Sequence, residues 1–330
     1  MTTRATLICL GLLAGTGCLP AQQLRRAVAA ADVLLIGKVV RVIPAKDHVL
    51  YKIDIEEVLR GTVGNSATKS LGVVSTKRVS EHNKPVPAKR MLLCLHDIRA
   101  AAQQLGLPEA FGPYFKMSGH PGSAVVLDGD RDPRLTFTRT LVASQQGKSP
   151  RAIAEELFAV ALKGDPRVRI EAAQTLAERS VLAGYLTQIH LSGLLSRAAG
   201  ETDDIPYKIA LATVCAERKE PALIPTLCIS AEHVGDEAFL KALGRFARFI
   251  HREDAAQALQ PHIARAKGKT KDRLILALGA TSTEAALSTL LDMQKTSDHR
   301  AAVEAALRIH GSPRATAAVA KKTAKTTTGR

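Results

Sequence analysis

The chain has no tryptophan, and aromatic residues make up only 3% of its 330 positions. Platforms that stack nucleobases or sugar rings need exposed aromatic faces, so this scarcity argues against them. Cysteine is also sparse, at five residues, and no two stand in Cys-x-x-Cys spacing. That excludes a zinc ribbon, a thioredoxin-like motif and a disulfide-stapled fold. The ten histidines show neither HxxxH nor HExxH spacing, and Gly-x-Ser-x-Gly and P-loop patterns are missing. No catalytic constellation and no cofactor motif emerges, and a non-enzymatic protein is expected. After the first 21 residues no apolar run is long enough to cross a membrane.

Residues 150–311 carry the clearest internal order. Asp165 is a good N-cap, Pro166 suits the first helical position, and Val168, Ala172, Ala173 and Leu176 share one helical face. The unit recurs from Asp204 to Arg218, where Ile209, Ala212 and Cys215 take the places of Ile170, Ala173 and Leu176. Ala242-Leu243-Gly244 and Ala277-Leu278-Gly279 mark two more copies, and Asp298 to Ile309 a fifth. Each follows another apolar-periodic segment, near 151–162, 184–198, 221–232, 254–266 and 283–294. About five helix pairs with a period of roughly 30–40 residues predict a helical solenoid. The pattern resembles HEAT repeats, including the short HEAT-like units of bilin lyases. The motif residues are those that pack, so the resemblance implies a fold and not a lyase activity.

Residues 1–21 have the order of an export signal: Arg4, an apolar run from Ala5 to Ala14, then small residues. Cleavage after Ala21 is one option. Cleavage after Gly17 is the second, and it places Cys18 at the new N-terminus as in a bacterial lipoprotein. The expected location is the periplasm or the cell exterior, with envelope attachment through Cys18 ranked second.

Residues 22–143 predict a small antiparallel β-barrel or sandwich. A short helix at 22–30 precedes a β-branched run from Asp32 to Val42, and Tyr51, Ile53 and Ile55 alternate with polar neighbours. Further strands are predicted near 70–77, 89–96, 122–127 and 134–139, the last on the alternation of Leu135 and Phe137 with threonines. Ala31-Asp32-Val33, Gly37-Lys38-Val39, Tyr51-x-Ile53 and Val58-Leu59-Arg60-Gly61 resemble the opening strands of the OB-like barrel in netrin and TIMP domains. The disulfides of those families are missing, so their inhibitor activity is not implied. Residues 144–149 read as a polar linker with Ser149 capping the next helix, and 312–330 as a disordered basic tail rich in Ala, Lys and Thr.

Cys94 sits in an apolar run, and Cys215 and Cys228 fall on neighbouring predicted helices, where core packing accounts for them. His96-Asp97 reads as a capped strand end, and Asp128-Gly129-Asp130-Arg131-Asp132 as a turn, since no Glu completes a calcium loop.

The formal net charge is +15, unevenly placed. Residues 22–149 hold 19 Lys and Arg against 11 Asp and Glu, while residues 150–311 hold 21 against 20. Inside the repeats, 150–240 are net −4 and 241–273 net +6. Lys241, Arg245, Arg248 and Arg252 are spaced to share one helical face, and Arg265, Lys267, Lys269, Lys271 and Arg273 alternate after them. A second cluster is Lys77, Arg78, Lys84, Lys89 and Arg90. Such groups form either a solvated face or a surface for an acidic partner. The four-residue strip, on the second helix of its pair, is the candidate site. The reading is an exported binding or scaffold protein that holds a protein or another acidic envelope macromolecule, with nucleic acid disfavoured. The alternative is an enzyme or accessory factor with a site in the β domain or at the domain junction.

Overall fold

The computed structural model describes residues 23–45, 47–65, 67–76, 84–102, 107–108, 111–200, 204–296 and 298–327, of which Gln23, Arg167 and 321–327 are described by their backbone alone. The predicted signal lies outside these residues. The chain is multidomain, a small five-stranded β-barrel followed by a mostly helical region. Two compact units divide at Ala172/Ala173.

In the first unit, helix α1 (Gln23–Ala30) leads into strands β1 (Val33–Pro44), β2 (His48–Arg60), β3 (Ser70–Thr76) and β4 (Arg90–Asp97). A one-turn helix α2 (Arg99–Ala102) and strands β5 (Tyr114–Met117) and β6 (Ala124–Val126) follow. The sheet runs β1-β2-β3-β5-β4 and closes where β4 pairs with β1, and β6 adds to the other side of β4. Closure removes most of the unpaired edges that an open sheet would expose. The barrel is mixed rather than antiparallel throughout, because β3 and β5 run parallel. β5 has only four residues, too few to show an alternating pattern in the sequence.

The barrel is filled by alternate residues, among them Leu35, Ile53, Val73, Leu93 and Phe115, all fully buried. Outward-facing Leu34, Ile36, Leu92 and Cys94 are buried as well, so chain outside the sheet covers that side. Arg60, at the end of β2, ties this arrangement together. Its guanidinium donates to Val28 O at 2.6 Å, to Ala31 O at the end of α1, and to Gln145 Oε1 at 2.6 Å.

The strand predicted at 134–139 is instead part of helix α3 (Pro133–Gln145). Asp132 caps it by accepting from Arg134 N–H, and Pro133 opens it. The buried threonines fit because Thr138 Oγ1 donates to Arg134 O at 2.8 Å and Thr140 Oγ1 to Thr136 O at 3.0 Å. Local hydroxyl bonding thus removes the cost that made a two-faced strand the simpler reading. After residues 146–149 comes α4 (Pro150–Lys163), where Ser149 holds the N-cap position but its hydroxyl makes no cap bond. Helix α5 (Pro166–Glu178) carries Glu171, whose buried carboxylate accepts from Leu24 N–H at 3.3 Å and Arg25 N–H at 2.6 Å. It caps the start of α1 from a distant part of the chain.

The second unit continues with α6 (Ser180–Ala183), α7 (Gln188–Ala199), α8 (Ile205–Glu217), α9 (Leu223–Ser230) and α10 (Glu237–His251). Then come a 3-10 turn (Arg252–Asp254), α11 (Ala255–Arg265), α12 (Gly268–Ala280), α13 (Glu284–Thr296), α14 (Arg300–His310) and α15 (Pro313–Thr327). Helices α7, α9, α11 and α13 stack in one layer, and α8, α10, α12 and α14 in another. The recurrent small residues explain the second layer. A Cβ on Gly244 of α10 would lie 2.1 Å from Ala277 O of α12, and one on Gly279 would lie 2.3 Å from Ala306 O of α14. Only glycine permits backbones this close. Leu243 and Leu278 beside them are fully buried.

Gly311 ends α14 in the left-handed conformation at φ 70. The tail expected to be disordered from 312 is helical over Pro313–Thr327. Ser312 Oγ accepts from Ala315 N–H at 3.3 Å, Pro313 occupies the first turn, and Ala315 is fully buried. Alanine's helix propensity and one buried contact outweigh the low complexity.

Candidate binding surface

Helix α10 is built to show one face. Asp236 caps it, accepting from Ala238 N–H at 2.8 Å and Phe239 N–H at 3.2 Å. Phe239, Leu240, Ala242, Leu243, Gly244, Phe246 and Ala247 are buried. The helix packs against α8 and α12 in its own layer and α9 and α11 in the other. What remains for solvent is the line that carries Lys241, Arg245 and Arg248. Arg252, predicted to share this face, instead begins the 3-10 turn after the helix at φ 54, which turns the chain away, and it is exposed.

The four cations are not equivalent. Lys241 Nζ lies 2.5 Å from Glu237 Oε1, an i,i+4 pair on the helix surface. Arg248 Nη1 donates to Ser282 O at 3.2 Å. Arg245 and Arg252 are exposed and are the two guanidinium groups most available to a ligand. Their place toward the helix C-terminus also suits the macrodipole, a structural reason for basic residues here.

The alternating run after α11 divides in the same way. Arg265, Lys267 and Lys269 are exposed and Lys271 is half-buried. Arg273 is a clamp, since its Nη1 donates to Ala231 O at 2.9 Å and to Glu232 O at 2.6 Å, where it holds the turn after α9. In the second basic cluster, Lys77 and Arg78 lie outside the described residues. Arg90 is engaged by Glu56 at 2.5 Å and Asp130 at 2.8 Å.

The remaining polar motifs have structural partners. Asp32 Oδ2 accepts from Asp97 N–H at 3.1 Å and lies 3.3 Å from His96 Nδ1, while Asp97 binds Arg99. That is a capped strand end. Asp132 is buried and bound to Arg134 through both carboxylate oxygens. Burial by itself would raise the Asp132 carboxyl, but the hydrogen bonds from Arg134 and Asp128 outweigh it and leave it at about 2. Among the described residues no group of His, Cys, Asp and Glu is arranged to hold a metal ion. Cys94, Cys215 and Cys228 are free and buried, and burial pushes each thiol up to about 12. Such thiols are poor nucleophiles and poor metal ligands. No described helix is long and apolar enough to cross a membrane.

Sequence reasoning missed one basic feature. Arg41 and Lys52 are partners in the β1–β2 register, and their cationic centres stand 5.7 and 6.0 Å from the ring of Phe111. Phe111 lies in an irregular segment, so no periodic signal could have placed it there.

No family model matches the chain, and no curated protein matches it, so the functional reading rests on its own residues.

Proposed function

We propose that this is an exported, non-enzymatic binding or scaffold protein. Its helical stack, similar to HEAT repeats, holds an acidic macromolecule of the cell envelope through Lys241, Arg245, Arg248 and Arg252. The observation that carries this reading is the outer line of α10, where Arg245 and Arg248 are exposed opposite a buried apolar face, with Arg252 exposed just beyond the helix end. Guanidinium groups bind carboxylates or phosphates through two parallel hydrogen bonds, which suits an acidic protein segment. The layered packing of α7–α14 supports the HEAT-like description. The closed barrel of five strands supports the OB-like resemblance of the first unit. The free, buried Cys94 gives no support to the disulfide framework of netrin and TIMP domains.

The test is capture of partners from envelope extract by the tagged chain at low and high salt. Reversal of Arg245 and Arg248 to Glu is expected to abolish capture of the main partner. The wild-type capture should weaken with salt, because the screening length falls from about 8 Å at physiological ionic strength to about 3 Å at 1 M. Reversal of Lys321 and Lys322 should matter less. If the double reversal keeps the same partners with the same salt dependence, the strip is a solvated face. Export is checked separately by the N-terminal mass of the native protein, expected to begin between Cys18 and Gln22. An added lipid mass on Cys18 would select the lipoprotein form, and an intact Met1 in the mature pool would refute export.

A further inference from the structure

We propose that the open edge of β1 near Val40–Val42 docks an extended acidic peptide, which joins the barrel as an added strand. β1 pairs with β2 as far as Pro44, with a register shift between Val39 and Arg41 that leaves Val40 without a partner on β2, but with β4 only from Val33 to Lys38. One more residue is held on the β4 side: Val39 N–H donates to Lys89 O at 3.4 Å, and Val39 O accepts from Ala88 N–H at 2.9 Å. Beyond it, no described strand pairs with this edge. A groove runs along it, lined by residues 38–42 of β1 and by Pro87 and Ala88. Val40 and Val42 are 46% and 36% exposed there; elsewhere in the barrel strands only Val58 is comparably exposed among the described valines. An added strand would take its affinity from main-chain hydrogen bonds and its selectivity from alternate side chains set into such a groove.

Charge decides between occupants. Lys38, Arg41 and Lys89 are exposed around the groove, and Lys52 stands beside Arg41 over Phe111. Asp54 is opposite Lys38 in the β1–β2 register and answers that one charge. A second copy of this edge would place Arg41 and Lys89 against cations like themselves, which destabilises a strand pair. Basic edges are a known means of preventing such self-pairing. The same charges attract a strand of alternating acidic and apolar residues. This site lies wholly in the barrel unit and does not rest on the reading of α10.

The experiment uses the full chain and a fluorescent peptide of alternating Glu and Val, followed by anisotropy at physiological salt. Saturable binding is expected. Methylation of alternate peptide nitrogens and the substitution Arg41→Glu should each weaken it about tenfold or more. In the Arg245→Glu, Arg248→Glu background, which removes the α10 strip as a second site for an acidic peptide, the loss caused by Arg41→Glu should be the same. Should Arg41→Glu fail to fold, Lys89→Glu in the exposed turn and the methylated peptide still decide. Failure of the peptide to saturate overturns the proposal, and so does equal binding of the methylated peptide, which would mean charge attraction without strand addition. A dimer of the free chain that the peptide disperses would make a second copy the occupant and overturn it equally.

Discussion

The barrel unit is the more basic region of the chain and most of its described arginines are engaged, whereas the nearly neutral helical region mixes engaged arginines with exposed ones. Arg60 holds the end of α1, Arg90 binds Glu56 and Asp130, Arg134 binds Asp132, and Arg139 binds Glu57 at 2.6 Å. In the helical region Arg218, Arg248, Arg273 and Arg314 are similarly engaged, but Arg245 and Arg252 are open to solvent. Net charge therefore does not locate a binding surface; the partners of each guanidinium do. The two regions also differ in what holds them. The barrel depends on a closed ladder with a few polar clamps, and the repeats on close helix contacts at small residues.

That difference can be broken most severely at the small residues. Gly279→Leu places a branched side chain where even a Cβ would be 2.3 Å from Ala306 O. The expected cost is about 3 kcal/mol or more, read as a fall in the denaturant midpoint. Gly244→Leu should behave alike, because its Cβ would be 2.1 Å from Ala277 O. Ala173→Leu, at a fully buried position of α5, should cost about 1–3 kcal/mol. A control at the exposed Ala264 should change nothing. If the glycine variants melt with the control, the helix register in the second layer is wrong.

In the barrel unit the corresponding weak points are polar. Arg134→Ala leaves the buried Asp132 carboxylate without its guanidinium and should cost about 3 kcal/mol. Asp132 and Glu171 also give opposite pH signatures. The Asp132 carboxyl is lowered from 3.8 to about 2, so its contribution is present above pH 3.8 and is lost as pH falls through 2. Burial raises the Glu171 carboxyl from 4.5 to about 7, and the N–H groups of Arg25 and Leu24 offset this only in part. Its contribution is full below pH 4.5 and is lost as pH rises through 7. Glu171→Gln should therefore flatten the stability profile between these values and change little at pH 4.5. An unchanged profile between pH 5 and 8 would show that Glu171 is not the group that titrates there.

The same physics explains what the sequence made legible. Ala-Leu-Gly at 242–244 and 277–279 marks a recurring close contact, and apolar periodicity placed most of the helices near their observed bounds. Barrel strands pair with partners far along the chain, and a single sequence has no signal for that order or for the parallel β3–β5 pair. Leu135 and Phe137 misled because a threonine-rich buried helix and a half-buried strand share an alternating pattern. Ala315 misled in the other direction, since one buried contact is invisible in a low-complexity stretch. At the candidate surface, spacing placed Lys241, Arg245, Arg248 and Arg252 on one helical face; the first three lie on α10, but the helix ends at His251 and Arg252 leaves that face at φ 54. Spacing could not reveal that Glu237 and Ser282 O already engage two of them, because those contacts depend on side-chain reach and on a neighbouring repeat.

The smallest expected effect on stability gives the sharpest form of the comparison. Arg90→Glu and Arg245→Glu are the same chemical change made once in each region. In the barrel the new carboxylate would face Glu56 and Asp130, so two attractions become two repulsions. These groups are partly exposed and screened, so a loss of about 1 kcal/mol is expected, and added salt should reduce it. On α10 the new carboxylate would sit one turn from Lys241 with no recorded ion pair broken, and stability should shift by less than about 0.5 kcal/mol. Thermal melts of the two variants at low and high salt measure both quantities. A larger loss at Arg245 than at Arg90 would mean that the α10 arginine supports the fold. The strip would then be a structural feature of the repeats, and the contrast drawn between the two regions would fail.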